Sequence, residues 1–234
     1  MKTVIFNQWF GDQFPEWMPQ FVERIEANPG VDFVCFTNLD EDLGSDRVKL
    51  VNTTPEEFDE RIENLTGIKS NKSYDERGVA SCDQRPFIPS LYPELMEGYD
   101  FWGWVDLDVV IGNVSSFLSN DFDVFTGTRK SLHKSIYCGL AFFRNCELLN
   151  SLWKDERFLS TVNKGFCGAV SNNWSPLVFE KADEGKLKIW HKPIEINRAG
   201  SNVENVRLEN NKLFLKDEEM LFFHFRPDPK VWPF

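Results

Sequence analysis

The chain has 234 residues, of which 41% are hydrophobic and 15% aromatic, and a formal net charge of −11 from 37 acidic and 26 basic side chains. That is enough for one domain with a full core. The acidic surplus argues against nucleic acid as a partner, since phosphate backbones are bound by surplus Lys and Arg.

No stretch approaches the roughly 20 apolar residues of a membrane span, and MKTVIFNQWFG lacks the apolar core of a signal peptide, so the expected location is the cytoplasm. The five cysteines, Cys35, Cys82, Cys138, Cys146 and Cys167, are scattered and odd in number, and are expected to be reduced core thiols.

Thr3 to Phe6 is an apolar, β-rich run that leads through Asn7 and Gln8 to Trp9, Phe10 and Gly11: a first strand and the loop after it. Pro15 to Ala27 carries Trp17, Phe21, Val22 and Ile25 at helical spacing and stops at Asn28-Pro29-Gly30. Asp32 to Thr37 then reads as a second strand, ending in Asn38. This β-α-β opening predicts parallel strands with a right-handed crossover, whose ligands gather at the carboxyl ends of the strands. A Gly-x-Gly-x-x-Gly turn is absent from this stretch, so a nucleotide needs other contacts, and Asn7, Trp9, Thr37 and Asn38 lie where such contacts are made.

A third strand is expected over Val48 to Asn52. Thr54 caps the next helix, with Pro55 at its first position and Glu56 and Glu57 near the positive dipole end, and the helix runs to about Leu65, ahead of Gly67. Lys69 to Gly78 is polar and holds Lys69, Lys72 and Arg77, either as a solvated loop or as a source of cations for a phosphate. Asp83 and Arg85 precede a short helix interrupted by Pro89 and Pro93, where they can form a capping ion pair.

Tyr99 to Asn113, YDFWGWVDLDVVIGN, reads as one buried strand carrying Asp106 and Asp108 two residues apart. Side chains at that spacing share a face of an extended strand. Two carboxylates so close among apolar neighbours are costly to bury bare. A hard divalent cation, Mn2+ or Mg2+, relieves this and keeps open positions for phosphate oxygens.

The segment VDLDVVIGN resembles the Asp-x-Asp motif of GT-A-fold glycosyltransferases, in particular small enzymes of bacterial polysaccharide clusters and of large DNA viruses. The resemblance implies an α/β fold: a single GT-A-type, Rossmann-like domain with a mostly parallel central sheet flanked by helices and a smaller antiparallel sheet on the acceptor side. Residues 1–113 would form the nucleotide-sugar-binding half, and 114–234 the acceptor half with a metal-ligand tail. It implies a metal-dependent transfer of sugar from a nucleoside-diphosphate sugar, most commonly of uridine, to a glycan or other hydroxyl acceptor. Asp106 and Asp108 would be the catalytic pair. Asp108 and His224 would hold Mn2+ or Mg2+, with Asp106 on the ribose or on the metal through water. Asp83 and Arg85 match the acid and base that flank the donor site in that superfamily.

In the second half, Val124 to Thr126 is expected to be a strand, and Asp121 and Asp123, a second Asp-x-Asp, belong to the turn before it. Tyr137 to Asn145 resembles the acceptor-side strand of GT-A enzymes, with Gly139 letting the sugar approach the backbone. Cys146 to Phe158 is expected to be one helix, followed by an irregular stretch in which Asn173 and Trp174 offer an amide and a ring to the acceptor; an Asp or Glu base, usual there in inverting enzymes, is replaced by Asn172-Asn173. Lys186 to His191 reads as a strand, and Val206 to Phe214 as a hairpin turning at Asn210-Asn211. In MLFFHFRP at the tail, His224 is either a packed core histidine or, by the resemblance, the third metal ligand, with Arg226 on the diphosphate. Two other functions fit parts of the pattern: a haloacid-dehalogenase-type phosphatase using Asp106 and Asp108, and a non-catalytic carbohydrate-binding domain.

Overall fold

The computed structural model describes residues 1–69, 79–128, 135–163, 169–193 and 206–225. Lys72, Arg77, Cys167 and Arg226 lie outside them. The first half runs β1 (Thr3–Trp9), α1 (Met18–Glu26), β2 (Val31–Thr37), β3 (Val48–Asn52), α2 (Pro55–Thr66), α3 (Val79–Gln84), α4 (Ile88–Leu91), β4 (Phe101–Val105) and β5 (Val109–Ile111). The second runs β6 (Val124–Thr128), β7 (Leu140–Arg144), α5 (Glu147–Ser151), α6 (Glu156–Asn163), α7 (Ser175–Asp183), β8 (Ile189–Pro193), β9 (Val206–Glu209), β10 (Lys212–Leu215), β11 (Glu218–Met220) and β12 (Phe222–His224).

Both halves share one seven-stranded sheet in the order β3-β2-β1-β4-β7-β6-β8. Pairing is parallel except where β7 runs against β4 and β6, so the sheet is mostly parallel. β9 to β11 form a three-stranded antiparallel sheet, and β12 pairs with β5. The inner strands of the central sheet are buried on both faces, which is why β2, β4 and β7 are mostly apolar rather than alternating. Met18, Phe21, Val22 and Ile25 of α1 join Ile5, Phe33 and Phe101 in one core; Phe58 and Ile62 of α2 join Phe6, Phe36, Trp102 and Trp104 in another.

Local signals explain several elements directly. Thr54 and Glu57 form a reciprocal capping box at the start of α2, and Gly67, at φ 72°, ends the helix in the left-handed conformation. Asn210 and Asn211 both take positive φ, 50° and 66°, as a two-residue hairpin turn between β9 and β10 requires. Asp123, the second acid of the other Asp-x-Asp, accepts from Arg144 at 2.6 Å and from the Lys188 amide at 2.8 Å, a structural role.

Two expectations are corrected. Tyr99 to Asn113 is not one strand: it breaks after Val105 and resumes at Val109. Cys146 to Phe158 is not one helix: α5 tightens into a 3-10 turn over Leu152–Lys154, Asp155 is extended at ψ 129°, and its carboxylate accepts the Arg157 amide to start α6. The stretch expected to be irregular contains a π-helical turn, Val170–Trp174, leading into α7. Among the described residues no helix is long and apolar enough to cross a membrane, and Cys35, Cys82, Cys138 and Cys146 are free thiols.

Candidate active site

The chain proceeds from β1 to β2 and β3 on one side and then places β4 on the other side of β1. The order therefore reverses between β1 and β4, and the carboxyl end of such a switch point is where an open α/β sheet has a crevice. Asp106 is the first residue beyond β4 at that end.

The break in the strand is fastened from several directions. The Asp106 amide donates to the Gly139 carbonyl at 2.8 Å, the Val109 amide to the Asp106 carbonyl at 3.1 Å, and the Trp17 indole to the Leu107 carbonyl at 2.8 Å. Leu107 is buried in the core between them. The turn, rather than the two-residue strand period, brings the carboxylates together. Asp106 and Asp108 keep 25% and 26% of their side-chain surface open.

β12 supplies the third group. Antiparallel pairing sets His224 opposite Val109, and the Phe225 amide donates to the Asp108 carbonyl at 3.1 Å. His224 is only 5% exposed, and its Nε2 lies 2.9 Å from Asp108 Oδ2. One ligand atom from each of Asp106, Asp108 and His224 falls within 4.8 Å of the others. Two carboxylate oxygens and one imidazole nitrogen on a partly open surface fit a divalent cation such as Mn2+ or Mg2+ that keeps further positions for other oxygens.

The protein already balances much of the charge there. Arg85, 3% exposed, donates through Nη2 to Asp106 Oδ1 at 2.5 Å and through Nη1 to the Cys138 carbonyl, while its Nε is buried without a partner. Arg85 thus offsets the charge of one acid, and His224 faces the other within hydrogen-bond distance. Gln84 ties this corner to neighbouring elements: its side chain accepts from Gln8 at 2.9 Å and donates to Asp59 of α2. The nearby thiols stay neutral, because burial pushes Cys82 up to about 12 and raises Cys138.

The other expected site residues divide by position. Asn7 donates to the Val105 carbonyl at 2.5 Å, across the switch point, and its Oδ1 is buried without a partner. Trp9 is half-buried and donates to the Gln13 carbonyl at 3.0 Å. Thr37 is fully buried, and its hydroxyl accepts the Leu39 amide at 3.1 Å. Asn38 accepts from the Gly11 amide at 3.1 Å and donates to the Gly11 carbonyl at 3.0 Å, which locks the loops after β1 and β2 together. Asp83 is buried, and its carboxylate accepts the Val170 amide at 3.1 Å. Gly139 sits against His224 and Tyr137. Asn173 is half-buried and reaches the Arg157 carbonyl at 3.5 Å. Trp174 is fully buried, with its ring 5.6 Å from Trp104 and 5.1 Å from Phe143, so its faces serve the core rather than an open sugar platform. Trp17, Gln8, Gln84 and Tyr137 were not expected at the site. Nothing local marked them, since their partners come from distant segments.

Known proteins resemble this arrangement at the level of fold. A glycosyltransferase involved in glycosylation of the major capsid of PBCV-1 matches with 13% identity over 98% of this chain and 96% of that one, at a TM-score of 0.51. The galactosyltransferase LgtC with donor and acceptor sugar analogues matches with 8% identity over 97% of this chain and 88% of that one, at 0.45. The first of these carries the assignment of a GT-A fold. No curated protein matches the sequence. Through a match spanning residues 5–226, the chain belongs to a family described as a family of unknown function (DUF6625).

Proposed function

We propose that the protein transfers a sugar from a nucleoside-diphosphate sugar, with a uridine base the first expectation, to a hydroxyl of a glycan or other acceptor. The observation that carries this reading is the convergence of Asp106, Asp108 and His224 at the switch point of the sheet. Asp106, Asp108 and His224 would hold Mn2+ or Mg2+. When bound, the metal supplies positive charge for the diphosphate that leaves.

The remaining roles belong to the chain's own residues. Arg85 orients Asp106 from a buried position. Asn7 offers a buried, unpartnered carbonyl oxygen beside β4 to a donor hydroxyl or N–H. Trp9 and Asn38 line the ends of β1 and β2 on the nucleotide side, and Arg226, next to the site in sequence, is assigned to the diphosphate. Gly139 and Asn173 are assigned to the acceptor side. A haloacid-dehalogenase-type phosphatase would carry its acid pair after the first strand of the domain, whereas here three strands of the same sheet precede β4.

The test is release of nucleoside diphosphate from a panel of nucleotide sugars with Mn2+ present. Turnover of one of them, lost on chelation and in Asp108→Asn, is the expected result. Hydrolysis of p-nitrophenyl phosphate with no turnover of any nucleotide sugar would overturn the reading.

A further inference from the structure

Tyr137 stands on the opposite side of the His224 ring from Asp108. Its hydroxyl is within hydrogen-bond reach of Nδ1, while Nε2 faces the Asp108 carboxylate at 2.9 Å. The tyrosine is held from several directions. Its amide donates to Thr126 Oγ1 at 2.8 Å, its carbonyl accepts from the Trp104 indole at 3.0 Å, and its ring stacks on Phe222 at 5.4 Å and 18°. Gly139 makes the contact possible: a Cβ there would lie 2.6 Å from the Tyr137 ring and 3.0 Å from His224 Nδ1.

The two ring nitrogens face opposite demands. Opposite a carboxylate oxygen, a neutral His224 carries its proton on Nε2, which leaves Nδ1 bare and in need of a donor. A nitrogen that ligates a metal is unprotonated, so a metal on Nε2 moves the ring proton to Nδ1, which then needs an acceptor. A backbone carbonyl or a carboxylate behind the ring would serve the second state alone. A tyrosine hydroxyl both donates and accepts, and so serves either.

We infer that Tyr137 is a positioning residue that carries His224 between two tautomers as the metal binds, donating to Nδ1 in the empty site and accepting from Nδ1 in the loaded one. The exchange leaves the net charge unchanged: Nε2 gives a proton to water, Nδ1 takes one from water, and the Tyr137 hydroxyl rotates. This inference rests on the reading that His224 is a metal ligand.

Two measurements test it. In wild-type protein, 15N–1H correlation spectra of the imidazoles should show His224 protonated at Nε2 without metal and at Nδ1 under saturating Mg2+. Tyr137→Phe keeps the ring and its stacking, and should bind Mn2+, followed by electron paramagnetic resonance, at least tenfold more weakly, while its metal-free melting temperature falls by only a few degrees for the donor withdrawn from Nδ1. Equal Mn2+ affinity in Tyr137→Phe would overturn the role of Tyr137 and leave the metal site standing, whereas an Nε2-protonated His224 under saturating Mg2+ would remove His224 from the ligands and this inference with it. Wild-type protein that binds no Mn2+ would overturn the site and this inference together.

Discussion

Arg85 donates to Asp106 across 2.5 Å from a side chain that is 3% exposed, so the first acid of the site is paired by the protein itself. Removing one partner of such a pair leaves the other charge with poor company, at a cost of about 3 kcal/mol. Arg85→Met should therefore lower the melting temperature by about 6–12 °C in a chain of this length. Arg85→Lys should recover little of this, because one ammonium does not reproduce the fork that reaches both Asp106 and the Cys138 carbonyl. Thermal unfolding of the two variants checks this.

Gly139→Ala would place a methyl group against the Tyr137 ring and His224 Nδ1. Overpacking of this kind costs about 1–3 kcal/mol. Here the strain falls on Tyr137 and His224, so if His224 holds the metal as proposed, Mn2+ affinity drops about tenfold or more. Calorimetry with Mn2+ beside thermal unfolding measures the two effects separately.

Thr54→Ala is the complementary case. It deletes a capping box at the far edge of the sheet, worth about 1 kcal/mol. The melting temperature should fall by about 2–4 °C, with Mn2+ affinity unchanged.

Burial pushes the Cys82 thiol up to about 12 and raises Cys35 and Cys138 as well. The reactive thiolate of Cys82 is therefore scarce well below that value and accumulates only as pH rises toward it. Alkylation of native protein by iodoacetamide at pH 8 should be about a thousandfold slower at Cys82 than at a free thiol. Denaturant should remove the protection at all three positions, as peptide mass analysis would show.

What was legible in the sequence follows from how local the cause is. The Thr54 cap, the Gly67 stop and the Asn210-Asn211 turn are set by neighbours a few residues away, and the structure has them where the sequence puts them. The break at Asp106 was hidden because Leu107 keeps the apolar pattern running while Trp17, Gly139 and Val109, most of them distant, hold the turn. The division between α5 and α6 was hidden in the same way by Leu152 and Trp153, although Asp155 ahead of Arg157 is a readable cap. At the site, the two acids announced themselves by spacing and His224 by resemblance. Tyr137 and Gln84 act only through partners that folding brings to them, and Trp174, an aromatic beside two amides, proved to be core.

The central claim is that Asp108, with its neighbours, holds a metal that in turn holds a nucleoside diphosphate. Calorimetric titration of a nucleoside-diphosphate panel, with and without Mn2+, into wild type and Asp108→Asn tests it most directly. The account predicts that one diphosphate binds wild type only when Mn2+ is present and does not bind Asp108→Asn measurably. Binding that ignores both Mn2+ and the substitution, or no binding across the panel, would contradict it.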